Sequence, residues 1–305
     1  MNTIPEQQNE VHQLERLGAF SQLYVQAKRM LSLNFVLSVP LMLAWVLLVA
    51  VWPSLEVYAA LWGIAVTLLS LLVITPYQKN LQTTAAKVQQ VFDCELFQFN
   101  WNDFNIGAPP NPEIIIRANQ QYLKREKNYD RLEDWYPTAI KPLSLELARL
   151  VCQRTNCWWD ADLRRRYSGW VIALLSLLTI GVLLIGFIGG LTLQKFLLTV
   201  VAPLFPALIL GISQYRENMK AAETLDRLRE KVRDIWSSAL YANKTPQQIY
   251  EASVRLQDAI FDNRANSPLI FNWFYQLLRT GNQELMNKSA EVLVKEALEA
   301  QKQTF

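Results

Sequence analysis

The chain has 305 residues, with Lys+Arg 30 against Asp+Glu 27, a single His and three Cys. An apolar fraction of 51% and a charged fraction of 19% look ordinary, but the charges are segregated: from Met30 to Gln78 only Glu56 is charged, and from Tyr167 to Tyr215 only Lys195. Each block can hold two membrane spans of about 20 residues plus a turn, and a secreted disulfide scaffold, a disordered chain and a His-based metalloenzyme are excluded.

The first 30 residues have mixed polarity, with no short apolar core and no small-residue cleavage site, so they do not read as a signal peptide. Span one is expected at 31–52 and span two at 57–75, divided at Trp52-Pro53-Ser54-Leu55-Glu56. Span three is expected at 168–188 and span four at 196–213, divided around Gly189-Gly190 and Lys195. Basic residues set the orientation. Thirteen Lys/Arg fall between Lys79 and Arg166, thirteen more follow from Arg216 onward, and the two hairpin turns hold one. Both termini and the middle segment therefore face the cytoplasm. The expected fold is an all-α membrane protein, four transmembrane helices in two hairpins with a helical cytosolic domain. Its segments are an N-terminal piece (1–30), hairpin one (31–75), a middle region (76–166), hairpin two (167–213) and a tail (214–305).

In the middle region, Leu81, Ala85, Val88, Val91 and Phe92 keep a helical stripe from Pro76 towards Phe97. Gly107 to Pro112 breaks it. Short helices are expected around Ile114–Leu123 and Ser144–Cys152. In the tail, Leu225, Leu228, Val232, Ile235 and Ala239 form one seam of a helix continuing from span four. Thr245-Pro246-Gln247-Gln248 is a capping box with Pro at the first helical position. Pro268 stops the following helix; a short aromatic helix (271–278) is expected next, then Gly281 and a last amphipathic helix.

The spans contain no Asp, Glu, Lys, Arg or His, which argues against ion-coupled transport. Their hydroxyls read as bonded to their own helix. Gly186 and Gly190 have the GxxxG spacing that lets helices approach closely, within one protomer or between protomers. Pro203 and Pro206 mark a kink in span four, either static or part of a repacking step.

Two cytosolic clusters combine cations with aromatic rings. One holds Arg117, Lys124, Arg125, Lys127 and Arg131 and leads to Trp135-Tyr136-Pro137. The other is Arg154-Thr155-Asn156-Cys157-Trp158-Trp159-Asp160. Guanidinium groups suit phosphates and aromatic faces suit purines, the mixture a small nucleotide needs; the competing reading is of solvated helix faces and interfacial tryptophans. There is no nucleophile–base pair, and no phosphate loop of the GxxxxGK[ST] or GxGxxG type. Asp93 and Glu95 point apart on a helix. Neither enzymatic activity nor a cofactor is expected, and the near balance of charge argues against a DNA or RNA polymer as partner.

Several stretches in order resemble the SMODS-associated four-transmembrane effector family: Phe92-Asp93 with Phe97 and Trp101-Asn102, Trp135-Tyr136-Pro137, and Cys152 to Asn156 with Trp159-Asp160. In the tail they are Leu256 to Phe261 with Arg264, then Pro268-Leu269-Ile270 and Trp273-Phe274-Tyr275. The resemblance implies a non-enzymatic effector of cyclic-oligonucleotide-based antiphage signalling (CBASS) in the bacterial inner membrane. It would be linked to a cyclic-nucleotide synthase, bind a cyclic di- or oligonucleotide, and permeabilise the membrane as a homo-oligomer. The ligand residues expected from motif position and chemistry are Arg117, Arg125, Trp135, Arg154, Asn156, Trp159, Asp160 and Arg264. The alternatives are a membrane scaffold that recruits a cytosolic partner and a channel subunit.

Overall fold

The computed structural model describes residues 2–188, 190, 192–197, 202–241 and 244–303, and every regular element among them is helical. In chain order these are α1 (Ile4–Gln7), α2 (Val11–Ser38), α3 (Pro40–Val51), α4 (Glu56–Leu69), α5 (Thr75–Leu96), α6 (Asp103–Ile106) and α7 (Pro112–Glu126). There follow α8 (Leu145–Ile188), α9 (Leu193–Phe196), α10 (Ala202–Tyr241), α11 (Pro246–Asn266) and α12 (Asn272–Gln303).

Prolines set the breaks in the first half. Pro40 lacks an amide hydrogen, and α2 hands over to α3 at Val39. Pro76 has the same effect at the foot of the next arm. There a π turn over Ser70–Ile74 joins α4 to α5, as expected where a regular backbone bond cannot form.

Two sectors result. In one, the first half of α2 packs against α5 and α7, α8 lies along α10, and α11 bridges α5, α8 and α10. Its core contains Leu17, Phe92, Tyr136, Leu150, Leu225 and Ile260, all essentially inaccessible. The seam expected in the tail is part of that core, since Leu225, Leu228 and Val232 are buried. The capping box is present, with Thr245 Oγ1 accepting from Gln248 N and the Gln248 side chain accepting from Thr245 N.

The other sector turns its apolar side chains outward. Leu47, Val57, Ile64 and Leu72 are exposed on the first arm, and Leu174, Leu177 and Leu183 on the second. Among the described residues, two helical segments are long and apolar enough to cross a membrane, Val11–Val49 and Pro53–Leu96. In their most apolar stretches only 0% and 11% of the residues are buried. A soluble core helix would have that surface covered, because each Å² of apolar area left in water costs about 25 cal/mol. Thr67 and Thr179 donate to the carbonyls of Gly63 and Leu175, four residues back, which satisfies them without water; Thr199, Gly189 and Leu191 lie outside the described residues.

Two helices are longer than the sequence suggests. The expected short helix at 144–152 is the start of α8, which continues to Ile188 because nothing between Leu145 and Tyr167 is a Gly or Pro. The expected division at Gly281 is absent: α12 runs through it, and a Cβ there would meet nothing within 4 Å. A mid-helix Gly costs only about 1 kcal/mol relative to Ala, which tertiary packing overrides. Within the N-terminal piece, the part of α2 from Leu14 to Ala27 is packed into the core.

Among the described residues, one close approach of α8 and α10 falls at Gly211. α8 ends at Ile188 and Gly190 lies beyond it with φ +54°, so Gly186 and Gly190 do not share a helix face. Gly211 on α10 faces Leu175 on α8, whose Cγ would lie 3.0 Å from an added Cβ. Pro203 and Pro206 stand within α10; their surroundings, like those of Gly186, lie outside the described residues.

Candidate functional site

At the centre of the packed sector lies a buried polar junction. The Asp93 carboxylate on α5 is fully inaccessible. Its Oδ1 accepts from Tyr136 Oη at 2.6 Å, and its Oδ2 from Arg264 Nη1 at 2.6 Å and Gln257 Nε2 at 2.9 Å. Gln257 also donates to Gln90 at 3.0 Å and accepts from Gln153 at 3.1 Å, while Asn156 Nδ2 donates to Tyr136 Oη at 2.8 Å. Burial opposes charge on Arg264, but the Asp93 carboxylate outweighs it and keeps the guanidinium pKa above its ordinary value. Burial, then the Asp93 charge, pushes the Tyr136 hydroxyl well above 10, so it stays a donor. Two of the expected ligand residues, Asn156 and Arg264, are thus committed to internal partners. The junction ties α5, α8, α11 and the loop before α8 into one unit.

A second arrangement is open. Where α2 leaves the packed sector, a cavity of about 540 Å³ lies between α2, the end of α7 and the start of α12, within the size range of small-molecule sites. Lys28, Arg29, Arg125 and Arg131 line it, with Glu126 as the only acid among the described lining residues. Lys127 at φ +68° closes α7 and turns the chain back towards Arg131. Glu126 takes one guanidinium on each oxygen, Arg125 Nε at 3.0 Å from Oε1 and Arg131 Nη1 at 3.6 Å from Oε2. Arg125 Nη1 also donates to Gln22 at 2.6 Å, and Arg131 Nη2 to Gln276 at 2.6 Å. The Lys28 ammonium lies 4.4 Å from the Tyr275 ring centre, and that ring packs on Trp159 at 6.5 Å. Among the described residues nothing pairs with Arg29. Burial lowers the Lys28 pKa to about 8, partly opposed by the Asp160 carboxylate, and the remaining excess of base over the single lining carboxylate suits an anionic ligand.

The structure brings one of the expected ligand residues to this cavity, Arg125 in its wall, and places the rest elsewhere, Trp159 packing on Tyr275. Arg117 is exposed on α7. Trp135 stands edge-on to Phe20 at 5.3 Å against the core. Arg154 donates to Ser289 at 2.8 Å. Asp160 accepts from Arg164 Nε at 3.0 Å, and Arg164 also donates to Asn218 Oδ1 and Pro268 O, both at 2.9 Å, clamping α8, α10 and the α11–α12 loop.

Sequence reasoning missed the parts that lie far apart in the chain. Lys28 and Arg29 carry no ligand signal in the sequence, and neither does Glu126, because acids alternating with bases at a helix end are common. Asp93 reads in the sequence as no catalytic carboxylate, and its place beside the apolar Ala85–Val88–Phe92 stripe is the clue there to the structural role that its burial shows.

A family profile, described as the SMODS-associating 4TM effector domain, matches residues 2–293. The chain belongs to that family. It is 26% identical over 202 residues to a Bacillus cereus (strain VD146) protein described as "Probable CBASS effector molecule IK1_05631". That match covers 66% of this chain and 66% of the relative, just under two thirds of its length. No solved structure matches. The family spans both the buried junction and the cation-lined cavity, so both belong to the SMODS-associating 4TM unit.

Proposed function

We propose that this SMODS-associating 4TM protein is a CBASS membrane effector, which takes a cyclic di- or oligonucleotide on its cytosolic helices and then permeabilises the inner membrane. The family match over residues 2–293 carries the reading, and the description of the B. cereus relative supports it. The apolar arms form two hairpins crossing the bilayer four times, with both termini cytoplasmic. Outward-facing leucines on α8, beyond the two segments already long and apolar enough to cross, support this arrangement.

Long helices couple the two sectors. α2, α8 and α10 each run from the packed sector into the apolar one, so a shift at the cytosolic end is transmitted along a rigid rod. One four-helix unit packs its own interior and leaves no aqueous path, so a pore requires several protomers. For gating, the messenger must bind the open assembly more tightly than the resting one; about 3 kcal/mol shifts the ratio roughly 150-fold. The test in cells is co-expression with a cyclic-nucleotide synthase. Propidium entry that requires an active synthase supports the reading, whereas an intact membrane while messenger accumulates and is bound refutes it.

A further inference from the structure

The cavity at the foot of α2 has features that messenger gating alone does not call for. Its position is one. Ser32 lines it, and the uncharged run that forms the first arm begins beside Ser32. One turn further on, Phe35 meets Phe271 edge-on at 5.5 Å, which pins the start of α12 beside that arm. Trp273 then stands 61% exposed between the lining residues Asn272 and Gln276, and Trp170 on α8 is 60% exposed. Both tryptophans pack on Phe274, at 5.5 Å and 6.4 Å. Exposed indoles at the end of apolar helices mark the level of lipid headgroups, so the cavity opens at that level.

Its chemistry is the other feature. Arg125 and Arg131 approach the two oxygens of a single carboxylate from different elements. The two non-bridging oxygens of a phosphodiester offer the same pair of acceptors, with the negative charge shared between them. We infer that this cavity is a phosphodiester site, in which Arg125 and Arg131 take the two non-bridging oxygens, Lys28 and Arg29 supply further charge, and Glu126 holds the arginines in place until the ligand displaces it. The diester comes from an acidic phospholipid headgroup or from the cyclic nucleotide. The position at headgroup level favours the lipid, which is present there at high local concentration. The lipid source rests on the membrane placement of the apolar arms, and the nucleotide source on the messenger reading above.

The test uses full-length protein in nanodiscs with two probes. The first is phosphatidylglycerol, counted by native mass spectrometry on protein released from discs of phosphatidylcholine with phosphatidylglycerol. The second is labelled cyclic di-GMP and cyclic GMP–AMP, in discs of phosphatidylcholine alone. The Arg125→Ala/Arg131→Ala double variant should lose at least tenfold in affinity for the diester that occupies the site. Loss confined to phosphatidylglycerol identifies the lipid, and loss confined to the cyclic dinucleotide identifies the messenger. Arg29→Ala, at a residue exposed and without a partner among the described residues, should weaken the same probe about threefold without affecting folding. Glu126→Gln removes the competing charge and should tighten it severalfold. Equal binding of both probes by the wild type and all three variants, or binding by the wild type of neither, overturns the inference. No readout is leakage, so this inference and the pore reading can fail independently.

Discussion

Arg264 Nη1 sits 2.6 Å from Asp93 Oδ2 across 171 positions of sequence, and this ion pair fastens α11 to α5 in the middle of the packed sector. Removing one partner leaves the other charge buried and unpaired, at a cost of about 3–5 kcal/mol. Arg264→Ala is therefore expected to lower the thermal midpoint sharply and to open the packed sector to protease before any effect on ligand can be read. Tyr136→Phe removes one neutral donor and should cost about 1–3 kcal/mol. Differential scanning of detergent-solubilised protein checks both; an Arg264→Ala midpoint equal to wild type would remove the ion pair from the account.

Two glycines are expected to give effects of opposite sign. A Cβ on Gly18 would lie 2.6 Å from Asn119 Oδ1 and 3.1 Å from the Tyr122 ring. Asn119 has little freedom to retreat, because it exchanges hydrogen bonds with Tyr129 at 2.8 and 3.0 Å. Overpacking at such a contact costs about 1–3 kcal/mol, more than the gain of about 1 kcal/mol in helix propensity. Gly281 is exposed in α12 with open space around it, so Gly281→Ala should stabilise by about 1 kcal/mol. Thermal or urea unfolding of the two variants side by side reads the sign of each.

The three thiols should be silent in the folded protein. Burial pushes Cys94 and Cys157 up to about 12 and Cys152 well above its ordinary value. At pH 8 none is a thiolate, so an aromatic disulfide reagent should react only as fast as the packed sector opens. The folded values lie above the unfolded value of about 8.5. Their stabilising contribution is thus complete below that pH and is lost as pH rises from about 9 towards 12. A thermal midpoint that rises between pH 9 and 11 would contradict this sign, and rapid labelling of native protein at pH 8 would contradict the burial.

The contact between Gly211 and Leu175 makes a separate prediction for the apolar sector. Gly211→Val places branched carbons where Leu175 Cδ1 and Cγ already lie within about 3 Å of the Cβ position, forcing α10 away from α8. The variant should fold its packed sector normally, with native thiol protection, yet show a lower melting point in detergent. An unchanged melting point would mean that the two helices do not approach there in the solubilised protein.

Local patterns were legible in the sequence. The seam through Leu225, Leu228 and Val232, the Thr245 capping box and the stop before Pro268 each depend on residues within a few positions of one another. Boundaries that relied on weak breakers were not legible: Gly281 does not end a helix that packing holds, and the aromatic and arginine-rich stretch before Tyr167 contains nothing to interrupt α8. The sites were only partly legible. Arg125 and Arg264 were singled out by charge and chemistry, but charge does not distinguish an arginine that lines a cavity from one that is paired inside. That distinction depends on Asp93 for Arg264 and on Gln22 for Arg125, partners that only the fold brings together.

Dye release from liposomes tests the central claim most directly. Purified protein in vesicles of bacterial lipid, challenged in turn with a panel of cyclic di- and oligonucleotides, should release dye with the matching messenger and hold it otherwise. Vesicles that stay sealed with messenger demonstrably bound, or that leak equally without any, would contradict a messenger-gated membrane effector.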